Sequence, residues 1–566
     1  MNLGERFPEG VVRDERKGFS GWIVDSSLLP NVAKTLRDED HFDYLSSVTG
    51  VDYLPEGQFE AVYHLFRTAG AEGEILKSRV PRENPVLPSL TSIYPGAEFQ
   101  EREIWDLFGI RFDGHPDLRR ILLWEGFAGH PLRKDWREPL FEEDTKPFTA
   151  RWPDGRPDGP PDKAFARPAD ALAPGGWEAD DDRALYAALE QDAGGPSAAL
   201  ETEFLTVNLG PQHPSTHGVF RVAALLDGEN VVNIKPVMGY LHRCHEKIGE
   251  RNTFPGNIPF TDRLDYITAL SNNFGYVLAV EALMGIRPPE RAEYLRVILA
   301  ELTRVVSHLW SIGFLLNDLG AFFTPALYAI EERELVLDIF EAITGSRMMC
   351  NFLRFGGLAR DIDPDTIEAI RGLVEDRLPG KVDQLEAYLT GNEIVKGRCV
   401  GVGILPREKA LAFSAAGPVL RASGIPYDVR KAEPYSVYDR FEWDVACRNG
   451  CDVYDRYLVR MDEIRQSLRI IRQALHALPG GPILTGKPQY QPRVPPGEAY
   501  GRVEGPKGEL GFYVVSNGRP NPWRYHVRAP SFINLTAMAE MCRGGKVADV
   551  VAVLGSIDII LGETDR

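Results

Sequence analysis

The sequence predicts an α+β protein of two units, an N-terminal α/β unit tethered to a mainly helical unit with small β-sheets. Three observations predict it. Residues 1–140 mix short β-like runs with a helical segment. Residues 141–200 lose apolar periodicity and fill with Pro, Gly and Asp, which reads as a linker. Residues 201–566 open with β-like runs and are then dominated by apolar stripes at helical spacing.

In the first unit, Phe42 to Tyr53 reads as a helix stopping at Gly50 and then a strand, with Ala61 to Phe66 a second strand. Phe99 to Phe108 has helical spacing, with Trp105, Leu107 and Phe108 available to a core. Two turns follow, Gly114-His115-Pro116 and Gly129-His130-Pro131, trailed by Arg119, Arg120, Arg133 and Lys134. His115 and His130 could ligate a metal, but no cysteine accompanies them, so structural turns whose basic side chains reach a partner are the expectation. In the linker, Ala184 to Leu189 alone has helical character.

The second unit starts with Phe204 to Leu209 and Val219 to Leu226, two β-like runs around Gly210-Pro211-Gln212-His213-Pro214-Ser215-Thr216-His217-Gly218. Pro211 and Pro214 disfavour a helix, so His213 and His217 are displayed by a rigid loop. A plain turn and a functional loop both satisfy that pattern. Val231 to Pro236 is a third strand. Thr261 reads as a helix N-cap and Asp262 as its first turn, with Leu264, Ile267, Phe274, Val277 and Leu283 on the apolar face. Longer helices are expected from about Glu290 to Asn317, Ala326 to Thr344 and Tyr454 to Leu478, with another after Pro364. The tail alternates β-like runs with an apolar segment, Val550 to Leu561.

Composition removes several function classes. Lys and Arg number 64 against 82 Asp and Glu, a net charge of −18, which disfavours nucleic acid as a partner. The six cysteines are scattered and suggest no disulfide framework; a reducing compartment fits. No signal peptide is evident at Met1 to Arg6, and no run of ~18 apolar residues stands out, so no membrane-spanning helix is expected.

The loop at 210–218, the segment Gly239-Tyr240-Leu241-His242-Arg243-Cys244-His245-Glu246-Lys247 and Thr261-Asp262-Arg263-Leu264-Asp265-Tyr266 occur in an order and spacing that resemble the D subunit (49-kDa type) of proton-pumping NADH:quinone oxidoreductase, respiratory complex I. The resemblance runs from about Leu205 to Arg566. Glu101 to Ile110 and the paired Gly-His-Pro turns resemble the C subunit (30-kDa type) of the same complex, so the chain resembles a C/D fusion of two proteins often made separately.

The resemblance implies a quinone head-group site. It assigns His217 and Tyr266 as hydrogen-bond donors to the quinone and Asp318 as the carboxylate behind the histidine. The chemistry is apt: a quinone taking two electrons needs two protons, which an imidazole and a phenol can donate. Taken alone, Tyr266 could equally be a core aromatic and Asp318 a loop residue, and His213 could be the active histidine. Asp318 does follow a long helix, where a carboxylate meets the unfavourable end of the helix dipole. Arg243 matches an arginine facing the terminal iron–sulfur cluster, which a B-type partner holds.

Quinone is then the substrate, with no cofactor held tightly by this chain; the implied partners are B-, I-, G- and H-type subunits, and the implied place is the cytoplasmic face of the inner membrane, as a peripheral protein. No GxGxxG or GxxxxGK[ST] motif is present, so neither NADH nor flavin is expected to bind here. Cys447 and Cys451 are the only close cysteine pair, too few for an iron–sulfur cluster. The D subunit is related to the large subunit of nickel–iron hydrogenases, but Lys247 stands where the partner of Cys244 would fall and the tail has no cysteine after Cys542, so no metal is expected. A ferredoxin-fed complex of the same build stays open, because donor choice lies on other subunits. Two departures stand out: Met349 where many relatives have His, and a short bridge, Pro479 to Gly505.

Overall fold

The computed structural model describes residues 3–70, 72–136, 182–191, 204–213, 216–321, 323–487 and 490–566. Most of the linker reading, and Pro214 and Ser215 of the histidine loop, lie outside these residues.

The first unit is built on a five-stranded sheet of β1 (Val11–Arg13), β2 (Trp22–Val24), β3 (Tyr44–Tyr53), β4 (Gln58–Phe66) and β5 (Gly73–Pro81), in the order β1-β2-β5-β4-β3. All pairs are antiparallel except β2–β5. Helices α1 (Leu29–Asp38) and α2 (Ala97–Phe108) pack on it.

The helix expected before Gly50 is instead the first half of β3. All ten residues of this strand are buried, so both faces carry apolar groups and period-two alternation disappears. Gly50 is not a helix stop: a Cβ there would lie 3.0 Å from the Phe108 ring, so glycine is what lets α2 approach the strand.

The second unit opens with a three-stranded antiparallel sheet of β6 (Leu205–Leu209), β9 (Arg221–Asp227) and β10 (Asn230–Val237), in the order β10-β9-β6. Between β6 and β9 the loop carries its own small ladder, β7 (Gln212–His213) with β8 (Gly218–Val219). In the linker, α3 spans Arg183–Gln191.

Thr261 is the last residue of α5 (Phe254–Thr261), which follows α4 (His245–Arg251), rather than the start of a new helix. The next helix, α6, begins at Ala269 and ends at Met284. Asp265 supplies the turn chemistry expected of Thr261: its carboxylate accepts from the amides of Ile267 (2.9 Å) and Thr268 (3.2 Å). The hydroxyl of Thr261 is engaged backwards, donating to the carbonyl of Ile258 at 2.7 Å.

Helix α7 (Glu290–Leu316) crosses the centre of the unit, flanked by α8 (Thr324–Thr344) and α9 (Val453–Ala477). The long helix expected from Glu290 is present, and it is apolar enough to bear on the reading that no helix spans a membrane. Glu290 to Ala321 is long and apolar enough to cross a bilayer, but 89% of its most apolar window is buried in the protein. It is buried nearly all round, and the charged residues it takes inside, Arg296, Glu301, Arg304 and His308, are paired there, which marks a core helix. The tail forms the antiparallel strands β11 (Gly497–Gly505), β12 (Gly508–Ser516) and β13 (Arg524–Arg528), then α10 (Pro530–Thr536), α11 (Val547–Ile557) and α12 (Leu561–Asp565).

One buried apolar cluster runs through both units, from Leu3 to Leu561. Arginines of β13 join them: Arg524 donates to the carbonyl of Gly50 (2.7 Å) and Arg528 to that of Ser46 (3.0 Å). Lys134 pairs with Glu250 at 2.6 Å, so one basic residue trailing the Gly-His-Pro turns reaches the other half of its own chain. Buried cations are tolerable here because each finds an acceptor. His115 and His130 fix their turns, lying 3.0 Å from the carbonyl of Glu98 and 2.9 Å from that of Asp106.

Candidate functional site

The residues singled out by the sequence sit on separate elements, and the fold joins some of them. The loop between β6 and β9 is closed internally by the hydroxyl of Thr216, within 2.7 Å of the His213 carbonyl and 2.9 Å of the Gly218 carbonyl. His217 has φ 53°, in the left-handed region that a β-carbon disfavours, so its backbone is held there by its surroundings. Its Nε2 lies 2.6 Å from Oδ2 of Asp318. Asp318 sits in the wide turn Asn317–Ala321 that ends α7, where Gly320 takes φ 92°.

Both side chains of this pair are largely buried, 18% and 8% exposed. Burial alone would pull the imidazole pKa down, but the hydrogen bond and charge of Asp318, with the charge of Asp558, raise it above its ordinary value. The pair therefore favours the charged imidazole, whose Nε2–H donates to Asp318 and whose Nδ1–H is the ring's other donor.

Tyr266 lies on the turn between α5 and α6 and is 41% exposed, which removes the core-aromatic alternative. Its phenol is pushed up by partial burial and by the charge of Asp265, with Lys507 opposing. Such a group donates a hydrogen bond at neutral pH and gives up its proton reluctantly. It borders a cleft with Thr303, Arg333, Phe340, Met348 and Cys350.

Between the tyrosine and the histidine pair stands a buried ionic group that sequence reasoning missed. Lys507, in the turn between β11 and β12, lies 3.0 Å from Asp265, 3.7 Å from Asp558 and 3.2 Å from the Ser307 hydroxyl. Burial disfavours its charge, but the two carboxylates outweigh it and hold the ammonium protonated. Burial also raises Asp558, and it raises Glu563 to about 7, with the charge of Asp265 adding to the effect. The sequence did carry a signal for this group: Asp558 and Glu563 interrupt an otherwise apolar segment, and a charge in such a place needs a partner.

The same tail ties the remaining segments together. Leu561 packs beneath Gly218, where a Cβ would come within 2.7 Å of it. Gly562 lies against the backbone of Arg263 and Leu264, where a Cβ would come within 2.6 Å of the carbonyl oxygens. Asp565 accepts from the amides of Gly239 (2.9 Å) and Leu241 (2.7 Å), holding the segment that displays Arg243. Arg566 pairs with Glu103 of the first unit.

Not every singled-out residue joins the cluster. His213 stands on the exposed ladder strand β7 rather than against Asp318, and Arg243 is exposed on the segment before α4. Met349 is partly exposed after α8. Glu103, Glu246 and His526 offer three ligand atoms within 4.8 Å, but Arg566 and Arg524 neutralise the two acids (Arg524 to Glu246, 2.7 Å), which makes an ion network rather than a metal site.

Comparison with known proteins finds relatives of both units. The family described as respiratory-chain NADH dehydrogenase, 49 Kd subunit matches residues 318–566, and the 30 Kd subunit family matches residues 22–140. The D 1 subunit of NADH-quinone oxidoreductase from Roseiflexus sp. is 54% identical over 375 residues, covering 65% of this chain and 100% of that protein. Two fused proteins align along nearly the whole length. The C/D subunit of NADH-quinone oxidoreductase from Methylococcus capsulatus is 37% identical over 599 residues, covering 100% of this chain and 96% of that protein. Its counterpart in Gluconacetobacter diazotrophicus is 38% identical over 594 residues, covering 98% and 94%. The chain belongs to the respiratory complex I family of NADH-quinone oxidoreductase subunits, as a fused C/D subunit.

Proposed function

We propose that this chain forms the quinone head-group site of its complex beside a terminal iron–sulfur cluster held by a B-type partner. The observation that carries the reading is the 2.6 Å contact between His217 and Asp318, which favours the charged form of the imidazole at the edge of a displayed loop. His217 donates to one quinone carbonyl and Tyr266 to the other. As the quinone takes two electrons by way of the partner-held cluster, His217 and Tyr266 each pass one proton to the oxygen they face, and Asp318 stabilises the charged ring before that step. Lys507 with Asp265 and Asp558 fixes the charge balance between the two donors. Arg243 faces the cluster and favours its reduced form electrostatically.

In this reading residues 1–140 and 201–566 are the C- and D-type units, and residues 141–200 their linker. The chain is a peripheral subunit on the cytoplasmic face of the membrane. It joins the B-, I- and G-type subunits of the electron-input arm to an H-type membrane subunit, takes part in a proton-translocating enzyme, and turns nothing over by itself. A ferredoxin-fed complex would use the same site. A nickel hydrogenase is disfavoured because the tail lacks the thiolates that nickel needs, and stoichiometric nickel in the purified protein would revive it.

The test is Tyr266→Phe and His217→Ala in the assembled complex. Each lowers quinone reduction by on the order of 10²–10⁴ while sparing electron transfer to ferricyanide. Equal loss of both activities would indicate failed assembly, and near-normal quinone reduction would remove these residues from the site.

A further inference from the structure

The linker helix α3 is bound to the strands that flank the histidine loop, at both of its ends. Asp182, just before the helix, forms a bidentate pair with Arg221 at the start of β9 (2.7 and 2.8 Å). The Tyr186 hydroxyl accepts from Asn208 of β6 at 3.2 Å. At the far end the carbonyl of Leu189 accepts from Asn233 of β10 at 3.1 Å. Leu185 and Leu189 are buried against Ala223 of β9, so α3 covers the outer face of this small sheet. Along β9, Val222, Ala224 and Leu226 point instead into the main core. One sheet, three strands and one helix thus share a single set of contacts.

The loop needs such support. Strand β6 is an edge strand, paired only with β9 and mostly exposed. His217 sits at φ 53°, a backbone state that persists only when its surroundings over-determine it. Arg221, which grips Asp182, lies four residues after His217 on the strand that leaves the loop. We propose that α3 is a strap: the linker docks back on the β6–β9–β10 sheet and positions His217, so the covalent connection between the units contributes to the site and is not only a tether. The part concerning catalysis rests on the quinone reading above.

The experiment uses the full chain and the assembled complex. Asp182→Ala and Leu189→Ser each release α3, seen as faster amide hydrogen exchange in residues 183–191. The strap predicts that exchange in the loop, residues 209–219, also quickens while α7 and α9 stay protected. Quinone reduction then falls on the order of tenfold or more with ferricyanide reduction unchanged, as a displaced donor requires. The swapped pair Asp182→Arg with Arg221→Asp restores both. Loop exchange unchanged when α3 is released would overturn the proposal and leave α3 a passive anchor, as would unchanged quinone reduction in a complex that His217→Ala disables. If His217→Ala is itself harmless, the quinone reading fails, and the exchange data still decide the strap.

Discussion

Asp318 holds His217 at 2.6 Å across 101 residues of chain, one from the turn ending the central helix and the other from a β-loop. The pair sets the protonation state on which the proposed chemistry depends. Burial disfavours the imidazolium, and the aspartate more than compensates.

That balance predicts a pH signature. The His217 pKa is raised above its unfolded value of about 6.5, so the pair's stabilisation is fully present below that pH and fades as pH rises through the folded value. Asp318→Asn removes the larger part of what opposes burial, leaving only the charge of Asp558, so the pKa falls. The difference in thermal midpoint between wild type and Asp318→Asn should be largest in mild acid and shrink towards pH 9. A difference that grows with pH would contradict the assignment of His217 as the protonated partner.

Lys507 makes a second prediction. Lys507→Met keeps the length of the side chain but leaves Asp265 and Asp558 without their buried cation. Breaking such a group by removing one partner costs about 3–5 kcal/mol. The deficit should lessen as pH falls, because the carboxyls can then be neutral; Glu563, held to about 7, is already close to that state. Unfolding of wild type and variant at pH 5 and pH 8 measures it, and an equal deficit at both values would show that packing, not charge, is what Lys507 supplies.

Gly50 tests the close packing of α2 on β3. The Phe108 ring leaves only 3.0 Å for a β-carbon, so Gly50→Ala should destabilise the protein by about 1–3 kcal/mol through overpacking. Denaturant midpoints of the purified chain measure it, and a midpoint unchanged by the substitution would mean that the Phe108 ring yields freely.

On the proposed reading, Met349 bears on the partner-held cluster. A histidine in its place would be a titratable ring able to take a proton as the cluster takes an electron; methionine cannot. The expected terminal-cluster midpoint is therefore nearly flat between about pH 6 and 8, with a slope restored by Met349→His. Redox titration of the cluster's EPR signal at several pH values measures this. A wild-type slope near the ~59 mV per pH unit of one-electron, one-proton coupling would mean that another group takes the proton.

Much of this was legible in the chain. The paired strands around residues 210–218, the helices from Glu290, Thr324 and Val453, and the linker helix follow from period-two and period-3.6 patterning and from Gly and Pro punctuation, all local signals. His217 and Tyr266 stand out because they sit in long motifs, and Asp318 only because the family resemblance points to it. What local patterning could not reveal was context. Strand β3 hid its period because two units bury both its faces, Gly50 resembled a stop although it marks a close approach, and Thr261 resembled a cap although it ends a helix and the turn before the next one is held by Asp265. The helix from Glu290 was legible as a helix, but that neighbours bury it on nearly every side was not.

The sequence by itself determined which elements form and which side chains have the right chemistry, because both depend on residues near one another along the chain. Only the tertiary structure decided that Asp318 would face His217 and not His213. It also decided that Lys507 would bridge Asp265 and Asp558, and that the tail would bind the loop, the tyrosine turn and the first unit together. Those are contacts between segments far apart in the chain. They are fixed by the requirement that every charge taken out of water in one shared core find a partner there, and that requirement can be met only once the segments have packed.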